Sequence, residues 1–290
     1  MQNTVLPARF LKPGPYSAVP FWGVHLACLL VFFTEFSVGA IAVCVATYFL
    51  RMFGITAGYH RYFSHRSFKT GRAFQFVLAF LGSMSVQKGV LWWAANHRIH
   101  HKYSDLEGDV HSPTRRGFWW SHAGWILSSD HEETHFDKIP DLAKYPELRW
   151  LNEHFLVPPL LLAAFLYAVG GTSWLGWGFF VSTTLLWHST FMINSLAHVY
   201  GSRRYDTTDT SRNNFWLALM TMGEGWHNNH HCFMNSARQG FFWWEIDATY
   251  YILKMLSWVG VTWDLIQPPA RLLEGAVAIP AVPASESSPA

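Results

Sequence analysis

Two long stretches of the chain carry no lysine or arginine, residues 13–50 and 151–202, and they restrict the possible folds more than any other feature. At about 1.5 Å of rise per residue and an apolar slab about 30 Å thick, a helix needs about 20 residues to cross a bilayer. The first stretch has 38 residues, enough for a tight hairpin of two crossing helices that turns near Glu35-Phe36-Ser37-Val38-Gly39. The second holds another pair, broken near Gly170-Gly171-Thr172-Ser173. Only 14% of the 290 residues are charged, against about 25% in soluble domains, so the expected fold is an all-α integral membrane protein with four transmembrane helices in two hairpins. A net charge of +2 implies no nucleic-acid partner.

The basic residues cluster at one end of these helices. Arg9 and Lys12 precede the first, Arg51, Arg61, Arg66, Lys69 and Arg72 follow the second, and Arg203 and Arg204 follow the fourth. The positive-inside rule makes that end, with both termini, cytoplasmic. No secretory signal fits the N-terminus, where the first apolar run starts only near Pro20. Cys28, Cys44 and Cys232 form no CxxC pair, so neither a disulfide framework nor a thiolate metal site is suggested.

Residues 1–20 read as a cytoplasmic leader and residues 21–267 as one domain, with hairpins near 21–53 and 154–200 and a cytoplasmic cap built from the rest. The Pro-, Ala- and Ser-rich residues 268–290 read as a disordered tail. Residues 73–96 are apolar but interrupted by Gln87 and Lys88; if they crossed the membrane, the histidine clusters described next would lie on opposite sides. They are therefore expected to form an amphipathic helix on the cytoplasmic surface, as are residues 241–263, which Glu245, Asp247 and Lys254 interrupt. Residues 102–149 read as a polar, loop-like part of the cap.

Three histidine clusters fall at the cytoplasmic ends: His60 and His65, then His97, His100 and His101, then His227, His230 and His231. Residues three and four apart share a helix face, which is how a chain converges imidazoles on a metal. Asn194 and His198, four apart at the end of the last crossing helix, add a ninth imidazole and an amide able to reach the site through water. Nine histidines are about twice what one tetrahedral ion uses, so two metals with about five ligands each are expected. Imidazoles suit iron, copper, nickel or zinc alike. Asp105, Glu107, Asp109 and Glu224 are expected to accept the other ring N–H of the ligating histidines. The isolated His25, His122, His131, His135, His154 and His188 read as structural, and His111, beside the acidic residues, stands between the two groups.

These motifs, with Gly54-Ile55-Thr56-Ala57-Gly58-Tyr59-His60, Arg115 to Trp125 and Asn194 to Tyr205, resemble the membrane fatty-acyl desaturase family, in particular a bacterial form of its acyl-CoA Δ9 (stearoyl-CoA-desaturase-like) branch. The resemblance implies a di-iron centre on the nine clustered histidines with Asn194 meeting one metal through water. It also implies O2 as co-substrate, an acyl-CoA or other acyl substrate, a cis double bond and electrons from a separate cytochrome b5-like or ferredoxin-like protein. A bent apolar tunnel should position the acyl chain, with Trp93, Trp119, Trp120 and Trp226 as candidate walls and Tyr48 as candidate floor. Ala95 and Asn96 stand where animal acyl-CoA members have Arg and Asp, so Arg115, Arg116, Arg203, Arg204 and Lys69 are the remaining candidates for phosphate contacts.

Two other functions compete. A His-rich di-iron hydroxylase of fatty acids or alkanes would insert oxygen where a desaturase removes a second hydrogen. A metal transporter or metal-binding membrane protein would need ionisable groups near the bilayer midplane. The basic-free stretches are nearly uncharged inside.

Overall fold

The computed structural model describes residues 15–274. The leader charges Arg9 and Lys12 and the tail beyond residue 274 lie outside the described residues. Four apolar helical arms form the body. The first is Pro15–Ala27 continued by a tighter 3-10 turn, Cys28–Phe33. The chain then reverses, and Ser37 opens the second arm by accepting the Ala40 N–H on its Oγ at 3.1 Å, which satisfies one of the free donors of a helix start. This arm runs 27 residues, Val38–Ser64.

Among the described residues, Val157–His198, 42 residues long, and Val38–Ser64 are the two helices long and apolar enough to cross a membrane. The longer one folds back on itself at Gly171, where φ 62 and ψ −154 define a backbone state that side-chain-bearing residues avoid. Its two halves, 157–170 and 172–194, are the third and fourth arms, and they pack on each other and on the first two. Phe32, Phe33, Val45, Phe49, Leu160 and Phe165 are all exposed, so these arms turn a broad apolar surface outwards. Inside, the second arm approaches another helix closely: a Cβ on Gly54 would stand 2.5 Å from the backbone of Leu81 and Gly82.

The structure corrects several expectations. Arg51, expected at the cytoplasmic boundary, is fully buried between the second and fourth arms. Its guanidinium donates to the Thr47 carbonyl at 3.0 Å, to Thr183 Oγ1 at 2.6 Å and to Ser182 Oγ. Hydroxyls and carbonyls spread over five donors replace the water it gives up.

Residues 73–96 form two helices, Arg72–Ser83 and Val90–Tyr103, and not one. Val86 and Lys88 both take positive φ, and the polar pair Gln87-Lys88 is the connecting loop. The second of these helices is no surface element, since Val90, Leu91, Ala94 and Ala95 are fully buried.

Within residues 241–263 the helix covers only Ala248–Trp258. Asp247, which caps it through the Tyr250 N–H at 3.0 Å, ends the irregular part. Thr262–Trp263 instead pairs antiparallel with Lys69–Thr70. The tail begins with an ordered turn, Ala270–Glu274, whose Leu272 carbonyl accepts from Tyr205 at 2.7 Å. Residues 102–149 are a series of short helical turns wrapped over the arms.

Candidate metal centre

The histidine clusters meet where the second and fourth arms end. In an α-helix two residues five apart lie ~140° apart around the axis, so His60 and His65 should diverge. They do not, because Gly54–Ser64 is wound as a π-helix and the His65 N–H bonds to the carbonyl of His60 at 3.2 Å. This wider turn sets residues five apart on one side, and the two rings lie 4.8 Å apart.

The helix Val90–Tyr103 presents His97 and His101 one turn apart, with His100 set ~60° from His97 and ~100° from His101 around the axis. The short helix His227–Cys232 does the same with His230 against His227 and His231. Asn213 holds that helix start, its Oδ1 accepting the N–H groups of Asn228 and Asn229 at 3.0 and 3.2 Å.

The nine histidines therefore divide. His60, His65, His97, His101 and His230 form one group, and His100, His198, His227 and His231 another. Within each group one nitrogen per ring lies within 4.8 Å of all the others, against ~4.2 Å for opposite ligands about 2.1 Å from a shared ion. His100 serves the second group and also, with Asp109 and His111, forms a third cluster.

Four carboxylates fix the rings. Asp109 accepts from Nδ1 of His100 at 2.9 Å, Asp105 from Nδ1 of His198 at 3.2 Å, Asp209 from Nδ1 of His231 at 2.6 Å, and Glu224 from Nδ1 of His60. A proton held on Nδ1 leaves the lone pair on Nε2, pointing into the group. There the nitrogens crowd. His230 Nε2 lies 3.0 Å from that of His60 and 2.9 Å from that of His101, His65 faces His97 at 2.8 Å, and His198 faces His227 at 3.0 Å. The buried Nε2 atoms of His100 and His231 have no partner at all among the described residues. Converging lone pairs without donors fit a cation, and an all-imidazole set fits a first-row transition metal.

The electrostatics agree. Burial first, and neighbouring imidazoles second, hold His65, His97, His101, His227 and His230 well below 6.5. Burial also lowers His231 to about 4 against the opposing pull of Asp209. For Asp105, Asp109 and Asp209 burial acts upwards, but the hydrogen bonds and charges of His198, His100 and His231 outweigh it and hold each carboxyl well below its usual range. These six neutral rings and the ionised carboxylates are in the protonation states that metal binding requires, whereas for His100 burial acts downwards but Asp109 outweighs it and raises the ring.

Other expected site residues are spread more widely. Trp93 stacks on His97 at 4.8 Å and, with Asn194, lines the cavity beside both histidine groups. Tyr48 donates to Ser189 or to the Met220 carbonyl, at 2.9 and 2.8 Å. Trp119, by contrast, is 76% exposed. Trp120 is buried against Arg116 with its indole N–H on the Val110 carbonyl, and Trp226 bonds the Ile246 carbonyl. None of these three tryptophans is among the residues lining the two cavities that hold Trp93 and His97. Arg115 and Glu107 are exposed.

His25, His188 and His122 form a hydrogen-bonded row, each step 3.0 Å, that ties the first arm to the fourth and ends on Ser195. His111 stacks on His100 at 4.1 Å.

Sequence reasoning missed Asp209, and it missed the support behind Glu224. Arg61, buried, donates to Glu224 at 3.1 Å and to Asp247 at 2.9 Å. Asp209 lies 22 residues before His231, so no spacing rule links them, and Arg61 reads in sequence as one more cytoplasmic charge.

Comparison with known proteins agrees with this geometry. The fatty acid desaturase family model matches residues 34–260. An acyl-CoA 5-desaturase of Anemone leveillei is 40% identical over 250 residues, covering 85% of this chain and 77% of that protein. An sn-2 palmitoyl-lipid 9-desaturase of Nostoc sp. (strain 36) is 38% identical over 259 residues, 87% of this chain and 90% of the relative. A hex-5-enoyl acyl-carrier-protein acetylenase of Moorena producens (strain JHB) is 37% identical over 279 residues, 89% of this chain and 87% of the relative. The match spans all three histidine clusters and the arms that carry them, and the chain belongs to the fatty acid desaturase family.

Proposed function

We propose that the chain performs O2-dependent desaturation of a fatty acyl chain, forming a cis double bond at Δ9 as its motifs imply, at two irons. His60, His65, His97, His101 and His230 would hold one iron, and His100, His198, His227 and His231 the other, with Asn194 meeting one of them through water. The observation that carries this reading is the pair of inward-facing imidazole groups, each ring set by a carboxylate behind it or by its neighbours. Bound there, iron would supply the chemistry by which O2 takes two hydrogens from adjacent methylenes, with two more electrons from a separate cytochrome b5-like or ferredoxin-like donor.

The chain's own residues do the rest. Asp105, Asp109, Asp209 and Glu224 balance the dication charge and keep each Nδ1 proton in place. The cavity lined by Ile55, Thr56, Trp93, Thr190, Ile193 and Thr221 holds the methylenes against the histidine face and keeps bulk water out. Tyr48, bonded to the residue before Thr221, closes its deep end. In this reading all four arms cross the bilayer and the histidine end is cytoplasmic, as are both termini. The motif resemblance implies a CoA thioester, whereas relatives named for CoA, lipid and acyl-carrier-protein substrates are all similar to this chain.

The test is the fatty-acid profile of a host lacking its own desaturase, expressing this chain or its His230→Ala variant, with double bonds located by mass spectrometry. A new cis monoene made only by the unmutated chain is expected. A hydroxylated product would overturn desaturation.

A further inference from the structure

Three cavities lie in series along the cytoplasmic ends of the arms. The one against the histidines shares Trp93, His97, Thr190 and Asn194 with a second, and the second shares Gln87, Ile126 and Phe191 with a third. Two hydrogen bonds, Gln87 Nε2 to Thr190 Oγ1 and the Trp187 indole N–H to the Ser85 carbonyl, both 2.8 Å, tie the loop at residues 84–89 to the fourth arm beside this line. The third cavity ends between Pro20 and Phe21 of the first arm and Phe155 and Leu156 at the start of the third. Its far end thus lies between these two arms. Val19, Trp22 and Leu156 around it are exposed and apolar.

Charge along this line is scarce. Lys88 is the one cation among the residues lining the three cavities. It is half-buried, with its Nζ over the Trp92 ring at 4.7 Å. Burial lowers its pKa to about 8, which leaves it charged at neutral pH. Coenzyme A carries a pyrophosphate and a ribose phosphate, and binding them calls for several guanidinium or ammonium groups. A glycerophospholipid carries one phosphodiester, which one lysine matches.

We propose that the three cavities form a lateral passage through which the acyl chain of a membrane glycerophospholipid reaches the histidines, its headgroup staying at the mouth beside Lys88. The inference rests on the desaturase reading and names the carrier. The apolar rim at Trp22 and Leu156 lies in the acyl region of the leaflet, so the chain passes from lipid to protein without crossing water.

The test uses the full chain in phosphatidylcholine vesicles containing phosphatidylglycerol with a diazirine at carbon 9 of a stearoyl group. Stearoyl-CoA bearing the same diazirine is the competing probe. Light-induced labelling of residues 86–97 and 187–194 by the lipid probe is expected, about tenfold weaker in Lys88→Gln. Labelling of these segments by the CoA probe and not by the lipid would overturn the proposal, as would lipid labelling confined to the outer faces of the arms. Turnover separates the two readings. With iron and a reductant supplied, desaturation of stearoyl-CoA in detergent but not of phosphatidylglycerol in vesicles overturns the lipid carrier and leaves the desaturase. Passage labelling by the lipid with neither carrier desaturated supports the passage and overturns the desaturase.

Discussion

Asp209 offers the sharpest test of how the histidines are held. Its Oδ2 accepts from His231 Nδ1 at 2.6 Å, and its Oδ1 accepts the Ser211 N–H at 2.9 Å and the Thr207 hydroxyl at 3.0 Å. Asp209→Ala leaves the ring of His231 free to rotate and to move its proton to the inward nitrogen. Losing such a partner lowers metal affinity about 10- to 100-fold, which is ~1.4–2.7 kcal/mol. The stranded His231 and Ser211 donors add a folding cost of about 1–3 kcal/mol.

Because His231 belongs to the four-histidine group, the deficit should fall on one ion and spare the other. Iron per chain, measured against a graded chelator, should therefore drop from two towards one at concentrations that leave the unmutated protein loaded. Asp206→Ala is the control, since the Asp206 side chain is 94% exposed and meets only Arg203, at 3.9 Å. An unchanged chelator midpoint in Asp209→Ala, or an equal loss in Asp206→Ala, would refute the reasoning.

Other consequences can be measured on the purified protein. Gly171→Ala forces a side chain into φ 62, ψ −154 and should cost about 1–3 kcal/mol, read as a lower melting temperature in detergent; an unchanged melting point would contradict the turn. Gly54→Ala would drive a Cβ to 2.5 Å from the backbone at Leu81 and Gly82, and about 1–3 kcal/mol should be lost by chemical unfolding. The metal-free protein should lose stability as pH falls below 6.5. Imidazoles held below that value in the fold stay neutral while the unfolded chain takes up protons, so their contribution is complete above 6.5 and fades beneath it. A melting temperature that stays level between about pH 7.5 and 5.5 would count against these neutral rings.

Much of the outline was readable before any coordinates. The absence of lysine and arginine over long stretches located the apolar arms, and the paired glycines at 170–171 marked the reversal that the structure puts at Gly171. The three histidine clusters pointed to converging imidazoles that could hold a metal, because HxxHH on a helix can point only a limited number of ways.

What stayed hidden was set by tertiary contact. His60 and His65 share a side only through a π-helical turn, which no spacing rule for an α-helix supplies. Val86 and Lys88 adopt positive φ that neither residue type favours, so the break between the two helices there could not be read from composition. Asp209 and the Arg61–Glu224–Asp247 network join segments far apart in sequence, and Arg51 and Arg61 looked like boundary charges although both are buried. Aromatic density alone did not distinguish the surroundings of the tryptophans: Trp119 is exposed, while Trp120 and Trp226 are buried with their indole N–H groups on the Val110 and Ile246 carbonyls.

Iron stoichiometry on the intact protein tests the central claim most directly. Purified in the membrane-extracted form, the chain should carry two irons, and His65→Ala and His227→Ala should each retain about one, because the two histidines belong to different groups. A single iron in the unmutated chain, or two irons retained in both variants, would contradict a centre built from two separate imidazole groups.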